Sequence, residues 1–138
     1  MNRILGIDYG DVSVGLSLSD LTQTIAKPFL TINYKNFDHL LIQLNKIIIE
    51  NDVNKLVVGI PYNMKGEDTP QTLNVKEFVS FLKSELSFDI ILIDERLSSV
   101  EAEKTMHKMN IKTGHNKSDI DKIAASVILQ EYLDSNHG

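Results

Sequence analysis

Asp8, the pair Asp94-Glu95 and Asp121 are the residues whose type and placement could do chemistry in this chain. Asp8 ends the apolar run Arg3-Ile4-Leu5-Gly6-Ile7 and is followed at once by Tyr9-Gly10. A carboxylate beside a core strand costs free energy unless it is paired or binds a cation. Asp94-Glu95 ends a second apolar run, Ile90-Ile91-Leu92-Ile93, and Asp121 lies at the start of a helical pattern beside Ala124 and Ala125. In open α/β sheets, sites form beyond the carboxyl ends of the strands. If the two strands are neighbours, Asp8 and one of Asp94 or Glu95 face one crevice. Side chains alternate along a strand, so the latter two should not both point there. Three converging carboxylates repel one another unless divalent cations neutralise them, and an all-oxygen ligand set favours Mg²⁺ or Mn²⁺. Each acid also has a plainer reading. Asp8 could cap turn amides. Glu95 could pair with Arg96 or Lys122. Ser118-Asp119-Ile120-Asp121 matches a capping box, so Asp121 could simply serve a helix N-terminus.

Positioning such acids requires a layered sheet. Near 3–8, 55–60 and 90–93 the central residues Ile4-Leu5-Gly6-Ile7, Leu56-Val57-Val58-Gly59-Ile60 and Ile90-Ile91-Leu92-Ile93 are wholly apolar, as expected of parallel strands covered on both faces. Val14 to Ser19 alternates apolar and small polar residues and, with the turn at Gly10 to Ser13, predicts a hairpin with the first strand. A third strand is expected near Phe29 to Asn33. Leu40, Leu41, Leu44, Ile47 and Ile48 recur at helical spacing after Asp38. Thr69-Pro70 predicts an N-cap followed by proline at the first helical position, with Leu73, Val75, Phe78, Val79 and Leu82 as the apolar face. Ser98-Ser99-Val100-Glu101 is a further capping-box pattern. A last helix from about Asp119 to Leu133 would turn Ile123, Ala124, Val127 and Ile128 inward. Strands first, then alternating helix and strand, indicate an α/β domain spanning residues 1–138.

Composition narrows the chemistry. With no cysteine among 138 residues, disulfides and thiolate metal sites are excluded. No signal peptide and no run long enough to span a membrane are present, so a cytoplasmic protein is expected. A net charge of −5 argues against a general nucleic-acid binder. Its distribution says more: Lys104 to Lys117 holds four lysines and two histidines without an acid. Such a local patch can meet phosphates.

The stretches RILGIDYG at 3–10, VVGIPYNMKG at 57–66, DERLSSVEAE at 94–103 and DKIAASVILQEYLD at 121–134 resemble the YqgF/RuvX family. This is a branch of the RNase H-like fold related to Holliday-junction resolvases and described as nucleases maturing the 5′ end of pre-16S rRNA. The resemblance implies a five-stranded mixed sheet flanked by helices, and Asp8, Glu95 and Asp121 as catalytic acids and ligands of Mg²⁺ or Mn²⁺, with Asp119 as runner-up for the third. It points to nucleic acid as the partner, structured RNA or branched DNA; oligomeric state is left open. Arg96 and Asn63 are further candidates for the nucleic-acid backbone, as are Lys104, Lys108, Lys112 and Lys117. Gln71, which with Asn63 flanks the polar loop, is better explained by cap chemistry.

The chain departs from the family pattern in two places. Similar proteins usually carry a lysine in the turn after the first strand, which here is Gly10-Asp11-Val12-Ser13. Their dense basic run before the last aspartate is thinned to Lys112-Thr113-Gly114-His115-Asn116-Lys117. Both changes weaken the phosphate grip. Three functions therefore compete: an RNA endonuclease, a resolvase using the same acids on branched DNA, and a non-catalytic nucleic-acid or transcription-associated adaptor. Metal-dependent cleavage separates the last from the first two.

Overall fold

The computed structural model describes residues 1–97 and 117–137. Five strands form one mixed sheet in the order β3-β2-β1-β4-β5: β1 Arg3–Tyr9, β2 Ser13–Ser19, β3 Ala26–Asn33, β4 Val53–Ile60 and β5 Asp89–Asp94. The first three strands run antiparallel to their neighbours as a meander. β1, β4 and β5 are mutually parallel, so their carboxyl ends share one end of the sheet. The crossovers are helices α1, Phe37–Glu50, and α2, Pro70–Glu85. A third helix, here α3, spans Lys117–His137. The capping-box pattern at Ser98 to Glu101 lies outside the described residues.

Local sequence accounts for the helix starts. Asn36 caps α1 by accepting from the His39 amide at 2.8 Å. Thr69 caps α2 in a reciprocal box with Thr72, and Pro70 follows where its missing N–H costs nothing. The turn between β2 and β3 is held by Asp20, whose carboxylate accepts from the amides of Thr24 at 2.8 Å and Ile25 at 3.1 Å and from the Thr22 hydroxyl.

The sheet separates two cores. Leu5, Ile7, Val14, Leu16, Leu56, Val58 and Ile60 pack under α1 and α2 with Leu40, Leu44, Val75, Phe78 and Leu82. On the other face Ile4 and Val57 meet Ala124, Ile128, Leu129, Tyr132 and Leu133 of α3. Two inward-facing assignments change. Leu73 is 56% exposed, and the buried residue at that end of α2 is Thr72. The inward stripe of α3 runs through Ala124, Ala125, Ile128 and Leu129, leaving Ile123 and Val127 half-buried.

The second face of β2 explains that stripe. Val14 and Leu16 point toward α1 and α2, so Ser13, Gly15 and Ser17 point toward α3 by alternation. These small residues let the helix backbone come down onto the sheet. A Cβ on Gly15 would collide with the carbonyl of Asp121 and lie 2.8 Å from the Lys122 nitrogen. A Cβ on Gly6, on the neighbouring strand, would lie 2.9 Å from the Ala125 carbonyl oxygen. The Ser17 hydroxyl donates to that same Ala125 carbonyl at 2.8 Å.

Candidate active site

Asp8 is the penultimate residue of the central strand and is 6% exposed. It pairs in register with Gly15 of β2. Ile4 packs on the α3 side and Leu5 and Ile7 on the other, so alternation turns Asp8 toward α3.

Glu95 follows β5 directly and opens a single 3₁₀ turn, Glu95–Leu97. It is 3% exposed. A Cβ on Gly59 would lie 2.9 Å from its Oε1 and 3.0 Å from Ile128 Cγ1, so the missing side chain of β4 leaves room for this carboxylate beside α3. Two nearby cations pair with other acids. Arg96 Nη2 donates to Asp94 Oδ2 at 2.7 Å, and Lys122 Nζ pairs with Asp119 Oδ1 at 3.3 Å. Hydrogen bonds from the Arg96 guanidinium hold the Asp94 carboxyl below the usual carboxylate range, while Glu95 is buried.

Asp121 approaches from the far end of the sequence. The Ser13 hydroxyl donates to its Oδ2 at 2.9 Å, across 108 positions, and its backbone lies over Gly15. α3 begins at Lys117, before Ser118, so the capping box predicted around Ser118 does not coincide with the helix start. Asp119 instead faces its neighbour Lys122 on the helix. Of the two acids it is Asp121 that reaches the sheet.

The three acids thus occupy the carboxyl end of β1, the carboxyl end of β5 and the start of α3, all on the α3 face. Among the described residues no three His, Asp or Glu side chains close on one point as a ready-made cage for an ion. The donor chemistry nevertheless fits a hard cation. Asp8 and Glu95 are buried carboxylates that offer oxygen ligands only, and the missing side chain of Gly59 makes room for the Glu95 carboxylate.

The other sequence candidates are placed as follows. Asn63 is occupied within its own loop: Oδ1 accepts from the Lys65 and Glu67 amides, both at 2.9 Å, and Nδ2 donates to Glu67 Oε1 at 3.1 Å. Gln71 Nε2 donates to the Tyr9 carbonyl at 3.2 Å, bracing the chain just after Asp8. Arg96 also lies over the Tyr62 ring, 5.6 Å from its centroid, and against Gly66, so it clips the 61–69 loop to the end of β5. Lys104, Lys108 and Lys112 lie outside the described residues; Lys117 is the first residue of α3. The sequence did not single out Ser13, Gly15 or Gly59. The alternation of β2 carried a signal for the first two, because a strand buried on both faces has small residues on one face only if something approaches closely there.

A meander joined to two parallel strands, with a buried acid at the carboxyl end of the central strand, is an RNase H-like domain. Solved structures share this fold. Thermus thermophilus RuvC matches with a TM-score of 0.61 at 10% identity, covering 99% of this chain and 96% of that one. The fowlpox virus Holliday junction resolvase matches with a TM-score of 0.56 at 14% identity, covering 96% and 99%. The chain belongs to the RuvX family, described as Holliday junction resolvase, whose profile matches residues 2–135. A relative from Thermoanaerobacter pseudethanolicus is 44% identical over 138 residues, covering 96% of each chain, and bears the name "Putative pre-16S rRNA nuclease".

Proposed function

We propose that this protein is a metal-dependent endonuclease of the cytoplasm acting on structured RNA, with the 5′ region of pre-16S rRNA as its substrate. The observation that carries this reading is the delivery of Asp8, Glu95 and Asp121 to one end and one face of the sheet from three distant stretches of sequence. Burying two carboxylates, Asp8 and Glu95, at one sheet end is costly, and cation binding would offset that cost. Their spread over three elements suits a pair of cations better than one. Asp8, Glu95 and Asp121 would hold Mg²⁺ or Mn²⁺, which would supply charge stabilisation at the phosphodiester and activation of water. The chain's own part is to keep the acids fixed and partly dry. α3 roofs the site through its contacts with Gly15 and Gly6, Gln71 secures the backbone after Asp8, and Arg96 ties the neighbouring loop to β5.

The name borne by the Thermoanaerobacter relative favours the RNA substrate. The family description favours a second reading, resolution of four-way DNA junctions by the same acids. Both are tested by incubating the protein in parallel with pre-16S rRNA fragments and four-way DNA junctions, with Mg²⁺, with Mn²⁺ and with EDTA. Cation-dependent cleavage of the RNA alone supports the first reading, and of the junction alone the second. Cleavage that persists in EDTA refutes the metal mechanism. No cleavage of either leaves the adaptor.

A further inference from the structure

We propose that Ser13 is a positioning residue: its hydroxyl fixes the Asp121 carboxylate in the orientation that binds the cation. This rests on the metal-dependent reading above and names a residue that the acids alone do not reveal.

Ser13 opens β2 at the end of the sheet where Asp8 lies, because Tyr9 pairs with Val14 and Asp8 with Gly15. It is 6% exposed, so its hydroxyl must find a partner within the protein. That partner is Asp121 Oδ2 at 2.9 Å. Ser17, four residues along the same strand face, offers an internal comparison. It donates to the Ala125 backbone carbonyl, four residues further along α3. Ser17 is thus a clip between strand and helix backbone, beside the close approaches at Gly6 and Gly15 and the apolar contacts of α3. Ser13 spends its proton on a carboxylate instead. An aspartate on a helix has several rotamers, and a donor to Oδ2 selects among them and leaves Oδ1 as the ligand atom. Hydrogen bonds to ligating carboxylates of this kind typically govern metal affinity by about 10- to 100-fold.

The test compares wild type, Ser13→Ala, Ser13→Thr and Ser13→Cys, each alone and combined with Asp121→Asn. Three readouts are taken: Mn²⁺ affinity without substrate by electron paramagnetic resonance, thermal stability in EDTA, and cleavage as a function of cation concentration. Ser13→Ala is expected to weaken Mn²⁺ binding about tenfold or more. Cleavage should then require correspondingly more cation but reach a similar plateau. Ser13→Thr, which keeps the hydroxyl, is expected to recover most of the affinity. With Asp121→Asn already present, Ser13→Ala should weaken binding no further. Ser13→Cys keeps the volume and nearly removes the donor, so it carries the same expectation if the alanine variant does not fold. A folded Ser13→Ala or Ser13→Cys protein with wild-type affinity overturns the proposal. So does an equal loss of affinity with and without Asp121→Asn, which would make Ser13 merely structural. Wild type that binds Mn²⁺ and cleaves while the variants match it refutes this inference alone. Wild type that neither binds Mn²⁺ nor cleaves refutes the proposed function, and this inference with it.

Discussion

Replacing Gly15 by alanine probes the docking of α3 on the sheet with a single methyl group. The added Cβ would meet the Asp121 carbonyl carbon and oxygen and the Lys122 nitrogen, all of them backbone atoms. No side-chain rotation can relieve such a clash. The helix start must retreat by about 1 Å to regain van der Waals separation. Overpacking of this kind costs about 1–3 kcal/mol. For a chain of 138 residues each kcal/mol lowers Tm by roughly 3–6 °C, so a fall of about 3–18 °C is expected. The same retreat carries Asp121 away from Ser13 and from the other acids. A displacement of about 1 Å at a reacting centre can cost on the order of 100-fold in rate. Calorimetry in EDTA gives the first number and cleavage of the preferred substrate at saturating Mn²⁺ gives the second. A Gly15→Ala protein with wild-type Tm and a rate within twofold of wild type would refute both the close approach of α3 and the dependence of the site on it.

Three further outcomes are expected. Asp8→Asn should reduce cleavage to background while leaving Tm in EDTA unchanged or higher, since one negative charge leaves a buried position; undiminished cleavage would dismiss Asp8 as a ligand, and a large loss of stability would make it a structural cap. Asp20 is held down from its ordinary 3.8 to about 2, mainly by the Thr22 hydroxyl and then by the Thr24 and Ile25 amides. Its folded value lies below the unfolded one, so its contribution is complete above 3.8 and is lost as pH falls toward about 2. Denaturant midpoints measured across that window should therefore fall more steeply for wild type than for Asp20→Ala. Finally, joint replacement of Lys108, Lys112 and Lys117 by alanine should flatten the dependence of log affinity on log salt by about 0.7–0.9 per phosphate contact removed. An unchanged slope would place the substrate elsewhere.

Much of the fold was legible because apolar runs and caps are local signals. The runs of β1, β4 and β5 and the Thr69-Pro70 cap appear where pattern and turn chemistry put them, but β5 is an edge strand with Leu92 39% exposed rather than a strand covered on both faces. β3 begins at Ala26, earlier than the apolar pattern indicates, because Ala26-Lys27-Pro28 lacks a strand signature. Proline is tolerated there since β3 is an edge strand. In α3, Ala124 and Ile128 face inward as expected, but Ala125 and Leu129 take the places expected of Ile123 and Val127. Hydropathy favours Ile123 and Val127, but Gly6 and Gly15 draw in the helix at Ala125 and Asp121, so close backbone approach decides which side faces the sheet. At the site, Asp8 announced itself as a charge at the end of a core strand. Between Asp94 and Glu95 the strand pattern alone does not choose; Glu95 is favoured by the family resemblance, and the structure adds that Asp94 is held by Arg96 while Glu95 is buried. The bond between Ser13 and Asp121 joins positions 108 apart, and no local pattern encodes it.

That separation also has a consequence in time. At roughly 5–20 residues per second, on the order of ten seconds pass on the ribosome between the synthesis of Asp8 and that of Asp121. Throughout that interval the sheet lacks its α3 roof and the third acid has not arrived. On the proposed three-acid site, a nascent chain carries an incomplete carboxylate set, and competence would come only as the last helix docks. For a nuclease made beside the ribosome's own RNA, this order of assembly keeps cutting power away from the machinery that is building it.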